Sequence, residues 1–363
     1  MRQERAVESH GSNPISAEEV RLAARNHGMP LEALRYEITP VGLHYLLIHY
    51  DVPAVDPSTW SLEVDGVVER PARLSMNDLM QLPSVSLPAT FECAGNGRAL
   101  LDPRPVSQPW FDEAVGTGEW TGTPLRPLLE DAGLRPEARE VVFTGLDAGV
   151  EGGVRQSYQR ALPVAEALGG DVMLAYRLNG GPLPPQHGFP LRLLVPGWYG
   201  MTNVKWLTRI TVMDEPFTGY QNVEGYRFRQ SEDEPGEPVT RMAPRSLMVP
   251  PGIPEFMTRS RHVDSGPSLI AGRAWSGRGG IALVEFSADG GRTWVPARLG
   301  EPPSPHAWYP WSITWEPPGA GTYELCCRAT DSAGSRQPLD APWNVGGYAN
   351  NSVQRVTVTV DGP

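Results

Sequence analysis

The order of apolar and polar positions splits the chain into a stretch where strands alternate with short helices and a later stretch of strands alone. Ser16-Ala17-Glu18-Glu19 has the form of a capping box, and Gly28 with Pro30 supplies a stop, which predicts a helix over 17–27. From Trp60 to Gly66 the chain reads as strand then turn. Ser75 caps a helix ending near Pro83, and Thr123-Pro124 opens another that Gly133 closes. Runs at 140–144, 172–178, 191–195 and 204–212 read as strands.

Ser231-Glu232-Asp233-Glu234-Pro235-Gly236-Glu237-Pro238 is acidic and holds no apolar side chain to bury besides its prolines, so it reads as an exposed linker. Beyond it, runs at 268–275, 281–287, 293–298, 308–315, 323–329 and 353–360 read as short strands, with a hairpin turn at Asp289-Gly290-Gly291. Strand after strand without helices points to an immunoglobulin-like sandwich. The expected organisation is an N-terminal extension with a helix (1–30), a mixed α+β domain (31–230), an acidic linker (231–244) and an all-β immunoglobulin-like domain (245–363).

With 363 residues the chain has room for two cores, and its 38 prolines and 39 glycines favour loops and strands over a helical bundle. A net charge of −11 provides no basic excess for nucleic acid, although it leaves room for a locally positive pocket. Three cysteines are too few for a four-thiolate cluster. Cys326 and Cys327 are neighbours in a strand and point to opposite faces, so a bridge between them would be strained. The absence of a disulfide framework suits a reducing compartment. Residues 1–14 lack the apolar segment of a signal peptide and no run is long enough to span a membrane, so the expected location is the cytoplasm.

The chemistry concentrates at Phe91-Glu92-Cys93-Ala94-Gly95-Asn96-Gly97-Arg98. A thiolate is a soft metal ligand and a nucleophile. Glycines permit close backbone approach, and a guanidinium can fork onto an oxyanion. The same run is also compatible with a buried cysteine near a turn. A phosphatase-type loop needs one more residue between thiol and guanidinium than is present, and a dinucleotide loop lacks its third glycine, since Leu100 stands there.

The Cys-Ala-Gly-Asn-Xaa-Arg run resembles the molybdenum-ligand segment of the sulfite oxidase family. Further stretches agree in the family's order, including Ile48-His49-Tyr50-Asp51, Gly145-Leu146-Asp147, His187-Gly188-Phe189-Pro190-Leu191-Arg192, Val204-Lys205-Trp206-Leu207 and Ala274-Trp275-Ser276-Gly277. The resemblance runs from about residue 30 to the C-terminus and is to bacterial forms without a haem domain. It implies a molybdopterin cofactor with Cys93 as the protein's sulfur ligand to molybdenum. His187, Arg192 and Lys205, with His49 and Asp147, match positions that hold the pterin and its phosphate. Tyr226 matches the active-site tyrosine, Trp110 a pocket-wall tryptophan and Arg98 a substrate-facing arginine. The family's second domain carries a dimer contact, which implies a homodimer.

Two departures stand out. The family carries arginines where this chain has Leu47 and Gly346. Each charge-assisted contact to an oxyanion is worth roughly 1.5–3 kcal/mol, so two losses weaken sulfite binding by about two orders of magnitude or more unless nearby arginines such as Arg104, Arg177 or Arg227 compensate. The leading expectation is oxidation of sulfite, a small anionic substrate, to sulfate by oxygen-atom transfer, with a separate electron acceptor. The alternatives are the same cofactor serving a less charged substrate, in the reductive direction, and a cofactor-free binding protein.

Overall fold

The computed structural model describes residues 14–362. The expectation about the signal-peptide region falls on residues 1–14 and so lies, except for Pro14, outside the described residues. No helix among the described residues is long and apolar enough to cross a membrane.

Local signals at helix ends are realised closely. In the helix Ala17–Arg25, Ser16 Oγ accepts from the Glu19 amide at 3.3 Å and Glu19 Oε2 accepts from the Ser16 amide at 2.8 Å. The helix Met76–Gln81 starts with the same reciprocal box between Ser75 and Asp78. The helix Leu125–Ala132 turns Leu125, Leu128 and Leu129 inward at helical spacing and ends on Gly133 in the left-handed region. These helices are short and few. The first half, expected as a mixed α+β domain, is therefore mostly β with a few short helices.

That half is built on two sheets. One is mixed, in the order Ala72–Ser75, Ser61–Gly66, Leu207–Met213, Glu140–Glu151, Val154–Pro163, with a parallel pairing only between Ser61–Gly66 and Leu207–Met213. The other pairs Val85–Glu92, Val115–Pro124, Met173–Leu178 and Gly181–Pro182, and Arg192–Leu194 also joins Met173–Leu178. Val85–Glu92 contains Pro88 and lies at the sheet edge, where a missing amide donor is tolerated.

The later half forms two sheets that share one core. Met248, Ile270 and Trp311 from one pack against Val284, Phe286, Leu325 and Val358 from the other, giving a β-sandwich. Between the halves, Ser231 to Glu234 are exposed, while Val239 and Met242 are buried in a cluster with Tyr199, Tyr226 and Trp275.

The halves are joined by buried charge. Arg245, on the sandwich strand Arg245–Met248, donates from Nη1 to Glu92 Oε1 at 3.0 Å and to the Asn350 carbonyl at 2.7 Å, and from Nη2 to Asp112. Trp275 Nε1 donates to the other Glu92 oxygen at 2.9 Å. Burial pushes the Glu92 carboxyl up, and the Arg245 charge opposes that most strongly. Since the Arg245 and Glu92 side chains are only 1% and 2% exposed, removing one strands the other. Arg245→Ala is expected to cost about 3–5 kcal/mol in urea unfolding, and a loss below about 1 kcal/mol would contradict this reading.

Candidate active site

Cys93 follows the last residue of the strand Val85–Glu92, and its loop is held from both halves. The Cys93 amide donates to the Ala114 carbonyl at 2.9 Å, and the Ala349 amide donates to the Ala94 carbonyl at 2.7 Å. Asn350 Nδ2 donates to the Gly97 carbonyl at 2.6 Å. A Cβ at Gly95 would stand 2.6 Å from the Arg98 guanidinium, so glycine is what lets that side chain fold back over the loop. Burial pushes the Cys93 thiol up, with the Arg98 charge acting against it.

Two clefts meet at this cysteine. The first is lined by Cys93, His44, His49, Asp147, His187, Arg192, Lys205 and Tyr226, among others. The second is lined by Cys93, His49, Arg98, Trp110, Tyr226 and Tyr348, among others. All nine candidate residues named from the sequence therefore line one cleft or both.

Local geometry explains how the first cleft receives its polar groups. Register between Glu140–Glu151 and Val154–Pro163 shifts from Thr144 to Ala148, and Gly145-Leu146-Asp147 occupies that irregularity. Bulges of this kind re-aim side chains, here Asp147. Arg192 Nη1 donates to the His187 carbonyl at 3.0 Å and Nη2 to the Asn203 carbonyl at 3.1 Å. Its guanidinium lies 4.8 Å from the Trp120 ring centre, and its Nε has no partner. Lys205 Nζ donates to the carbonyls of Leu47 at 2.7 Å and Gln186 at 3.0 Å. Among the described residues neither cation holds a carboxylate within ion-pairing distance, although Asp147 and Lys205 feel each other's charge. Oδ1 of Asp147 and Nε2 of His44 are buried without partners.

Burial dominates the protonation states. It pushes His49 down to about 3 and His44 to about 4, and His187 lower still, so these imidazoles are neutral at pH 7. Asp147 is pushed up to about 6, again by burial. The Lys205 ammonium is pushed down to about 7, first by burial and then by Arg192.

In the second cleft, Tyr226 adopts φ 49°, a left-handed conformation that costs a non-glycine residue about 1 kcal/mol or more. A 2.5 Å hydrogen bond between its hydroxyl and His49 Nε2 holds it there, as does its carbonyl accepting from the Val239 amide at 2.9 Å. Arg98 Nε donates to the Gly346 carbonyl at 2.8 Å, Nη1 donates to the Gln108 carbonyl at 3.1 Å, and the guanidinium lies 5.3 Å from the Tyr348 ring centre. A Cβ at Gly346 would come within 2.2 Å of the Tyr348 ring. The place where an arginine side chain would begin is thus taken by a tyrosine. Trp110 is buried in the same apolar cluster as Cys93.

His44, Tyr158, Arg160 and Tyr348 also stand at or behind the clefts and belong to no recognisable motif. His44 lies five residues before His49, and its isolated imidazole carries no spacing signal. Tyr348 lies two residues beyond the Gly346 departure, a place where a compensating side chain is worth seeking.

A buried thiol beside paired clefts, one carrying cations without carboxylate partners, suits an enzyme that holds an anionic cofactor. Comparison with known proteins agrees. A family model for the oxidoreductase molybdopterin binding domain matches residues 49–221, and one for the Mo-co oxidoreductase dimerisation domain matches 239–361. Sulfite oxidase of Gallus gallus is 36% identical over 342 residues, covering 88% of this chain and 72% of that protein. Nitrate reductase [NADH] 1 of Oryza sativa subsp. japonica is 32% identical over 381 residues. That match takes in 97% of this chain and only 41% of the nitrate reductase, so the chain spans about two fifths of that relative's length. The crystal structure of the sulfane dehydrogenase SoxCD from Paracoccus pantotrophus superposes with a TM-score of 0.79 at 27% identity, over 99% of this chain and 95% of that one. The chain belongs to the sulfite oxidase family of molybdopterin oxidoreductases, and its cofactor is the molybdenum cofactor.

The residues present fit that cofactor, because a buried guanidinium and a half-buried ammonium, both lacking carboxylates, and an unpartnered buried carboxylate oxygen meet the needs of an anionic, nitrogen-rich group. The Lys205 shift gives a test with a sign. In the unfolded chain Lys205 keeps its proton up to its ordinary value of 10.5, whereas the folded cofactor-free protein releases it near 7. Unfolding between these pH values takes up a proton, so this residue makes the cofactor-free protein more stable as pH rises from 7, by up to about 1.4 kcal/mol per pH unit. Urea unfolding of cofactor-free protein at pH 7 and about pH 9 should show that rise, and Lys205→Met should flatten it. Equal slopes in the two proteins would contradict the buried ammonium.

Proposed function

We propose that the chain oxidises sulfite to sulfate by oxygen-atom transfer and passes two electrons to a separate acceptor. One observation carries the reading: Cys93, His49, Leu47 and Tyr226 line both clefts, so a group seated against Arg192 and Lys205 borders the space that opens beside Arg98. When bound, the cofactor supplies a molybdenum centre that takes up two electrons and an oxygen-transfer site.

In this reading Cys93 is the protein's sulfur ligand to the metal, and coordination holds the thiol deprotonated despite its burial. Arg192, Lys205 and His187 hold the cofactor's phosphate and pterin, with His49 and Asp147 beside them. Asp147 Oδ1, which has no protein donor, accepts from cofactor N–H groups. Arg98 faces the substrate anion from the second cleft. Tyr226 orients the substrate's oxygen through its hydroxyl and is itself fixed by neutral His49. Trp110 closes the wall and excludes water.

A second reading rests on the same departures. Leu47 is apolar, Tyr348 occupies the start of the second missing arginine, and the Glu151 carboxylate also lines the second cleft. Fewer cations suit a less charged oxyanion, and nitrate, which several relatives are named for reducing, carries less charge than sulfite. Steady-state turnover of sulfite with an artificial acceptor, compared with nitrate turnover by a reduced dye, separates the two. Sulfite turnover with a KM lowered about tenfold or more by Leu47→Arg is the expected outcome. An unchanged KM would remove the charge-deficit account, and nitrate turnover alone would favour the second reading.

We read the C-terminal sandwich as immunoglobulin-like, supported by an antiparallel two-sheet core with Arg261–Val263 running parallel to Gln354–Val360 at one side. It carries exposed Ile253, Phe256, Met257 and Leu269, each more than two thirds accessible. These side chains lie within the region matched to a dimerisation domain and fit contact with a second copy of the chain. Phe256→Glu with Met257→Glu should convert a dimer to a monomer in sedimentation, and an unaltered dimer would place the contact elsewhere.

A further inference from the structure

Arg160 is a buried guanidinium with no carboxylate partner among the described residues. It lies on the strand Val154–Pro163 two residues beyond Tyr158, so strand alternation puts both on one face, and Tyr158 lines the first cleft. Arg160 is 4% exposed, its Nη1 donates to the Gln221 carbonyl, and its Nε is buried without a partner. The guanidinium stands 5.6 Å from the centre of the Tyr226 ring. Its charge is felt at the His49 imidazole together with those of Lys205 and Arg98, which places it close to the floor of the site.

Arg104 and Arg245 are comparably buried, and each holds a carboxylate: Glu19 for the first, Glu92 and Asp112 for the second. Leaving a buried charge uncompensated costs several kcal/mol. A fold that keeps Arg160 in that condition gains when an anion arrives nearby. Arg192 and Lys205 face the cofactor cleft, whereas Arg160 backs Tyr226, which lines the substrate cleft as well.

We propose that Arg160 is the cation that replaces the arginines missing at Leu47 and Gly346, acting with Arg98 to draw a small oxyanion onto the Tyr226 hydroxyl. It stands behind the Tyr226 ring, so it works through its field and by fixing that ring, as a positioning residue. Gln221 links it to the rim: the Gln221 carbonyl accepts from Arg160, and Gln221 Nε2 donates to Glu151 at 2.7 Å. The inference rests on the oxyanion reading of the second cleft.

The test uses molybdenum-loaded protein and two readouts, sulfate binding by titration calorimetry and steady-state sulfite kinetics. Arg160→Gln should weaken sulfate binding at least about tenfold and raise KM for sulfite more than it lowers kcat. Arg160→Lys, which keeps the charge, should bind sulfate within about threefold of the native protein. A residue that only supported the fold would lower kcat and the unfolding midpoint without a selective loss of sulfate affinity. Arg160→Gln protein with native molybdenum content and native sulfate affinity would overturn the inference while leaving the oxyanion reading intact. Native protein that neither binds sulfate nor turns over sulfite would overturn both. If Arg160→Gln does not fold, Arg160→Lys decides: near-native affinity supports the charge role, and a tenfold loss in folded protein contradicts it.

Discussion

Glu92 and Arg245 come from different halves of the chain and meet in the interior, and the position of the site cysteine follows from that meeting. Glu92 is the residue immediately before Cys93, and Arg245 also reaches Asp112 and the Asn350 carbonyl. The loop bearing the thiol is therefore a product of inter-half packing as much as of its own strand. Hydrogen bonds from Ala349 and Asn350 to Ala94 and Gly97 tie the C-terminal segment to the same loop. The sandwich thus shapes the floor of the site from behind.

The contrast between paired and unpaired buried cations organises the rest. Arg104 and Arg245 have carboxylates and serve the fold. Among the described residues Arg192 and Lys205 have only carbonyl acceptors, and Arg98, in the second cleft, and Arg160, behind Tyr226, share that condition. In an acidic protein, three cations without carboxylate partners line the clefts at Cys93 and a fourth lies behind Tyr226, which makes a locally positive interior that costs stability until anions occupy it. Neutral His49 and His187 add hydrogen-bonding capacity there without adding further charge.

Much of this was legible in the sequence where the signal is local. Helix starts at Ser16 and Ser75 are capping boxes confined to four residues, and both formed as expected. The cysteine loop is likewise a contiguous motif. Strands were harder where composition works against them. Val85–Glu92 carries Pro88, and Val115–Pro124 carries Gly116, Gly118 and Gly122, residues depleted in strands. The long-range features were hidden for a different reason. Nothing near Arg245 marks it as the partner of Glu92, since their association depends on the packing of two halves. The loss of an arginine at Gly346 was visible, but that Tyr348 fills the space was not, because a ring's position over a neighbouring backbone has no periodic trace.

The central claim is that the uncompensated cations beside Cys93 are a cradle for the molybdenum cofactor. The direct measurement is molybdenum per chain, by elemental analysis, in protein from a host that synthesises the cofactor, for the native chain and for an Arg192→Met, Lys205→Met double variant. A cradle of this kind gives about one equivalent in the native protein and well under half in the folded variant. Equal molybdenum in both, or none in well-folded native protein, would contradict it.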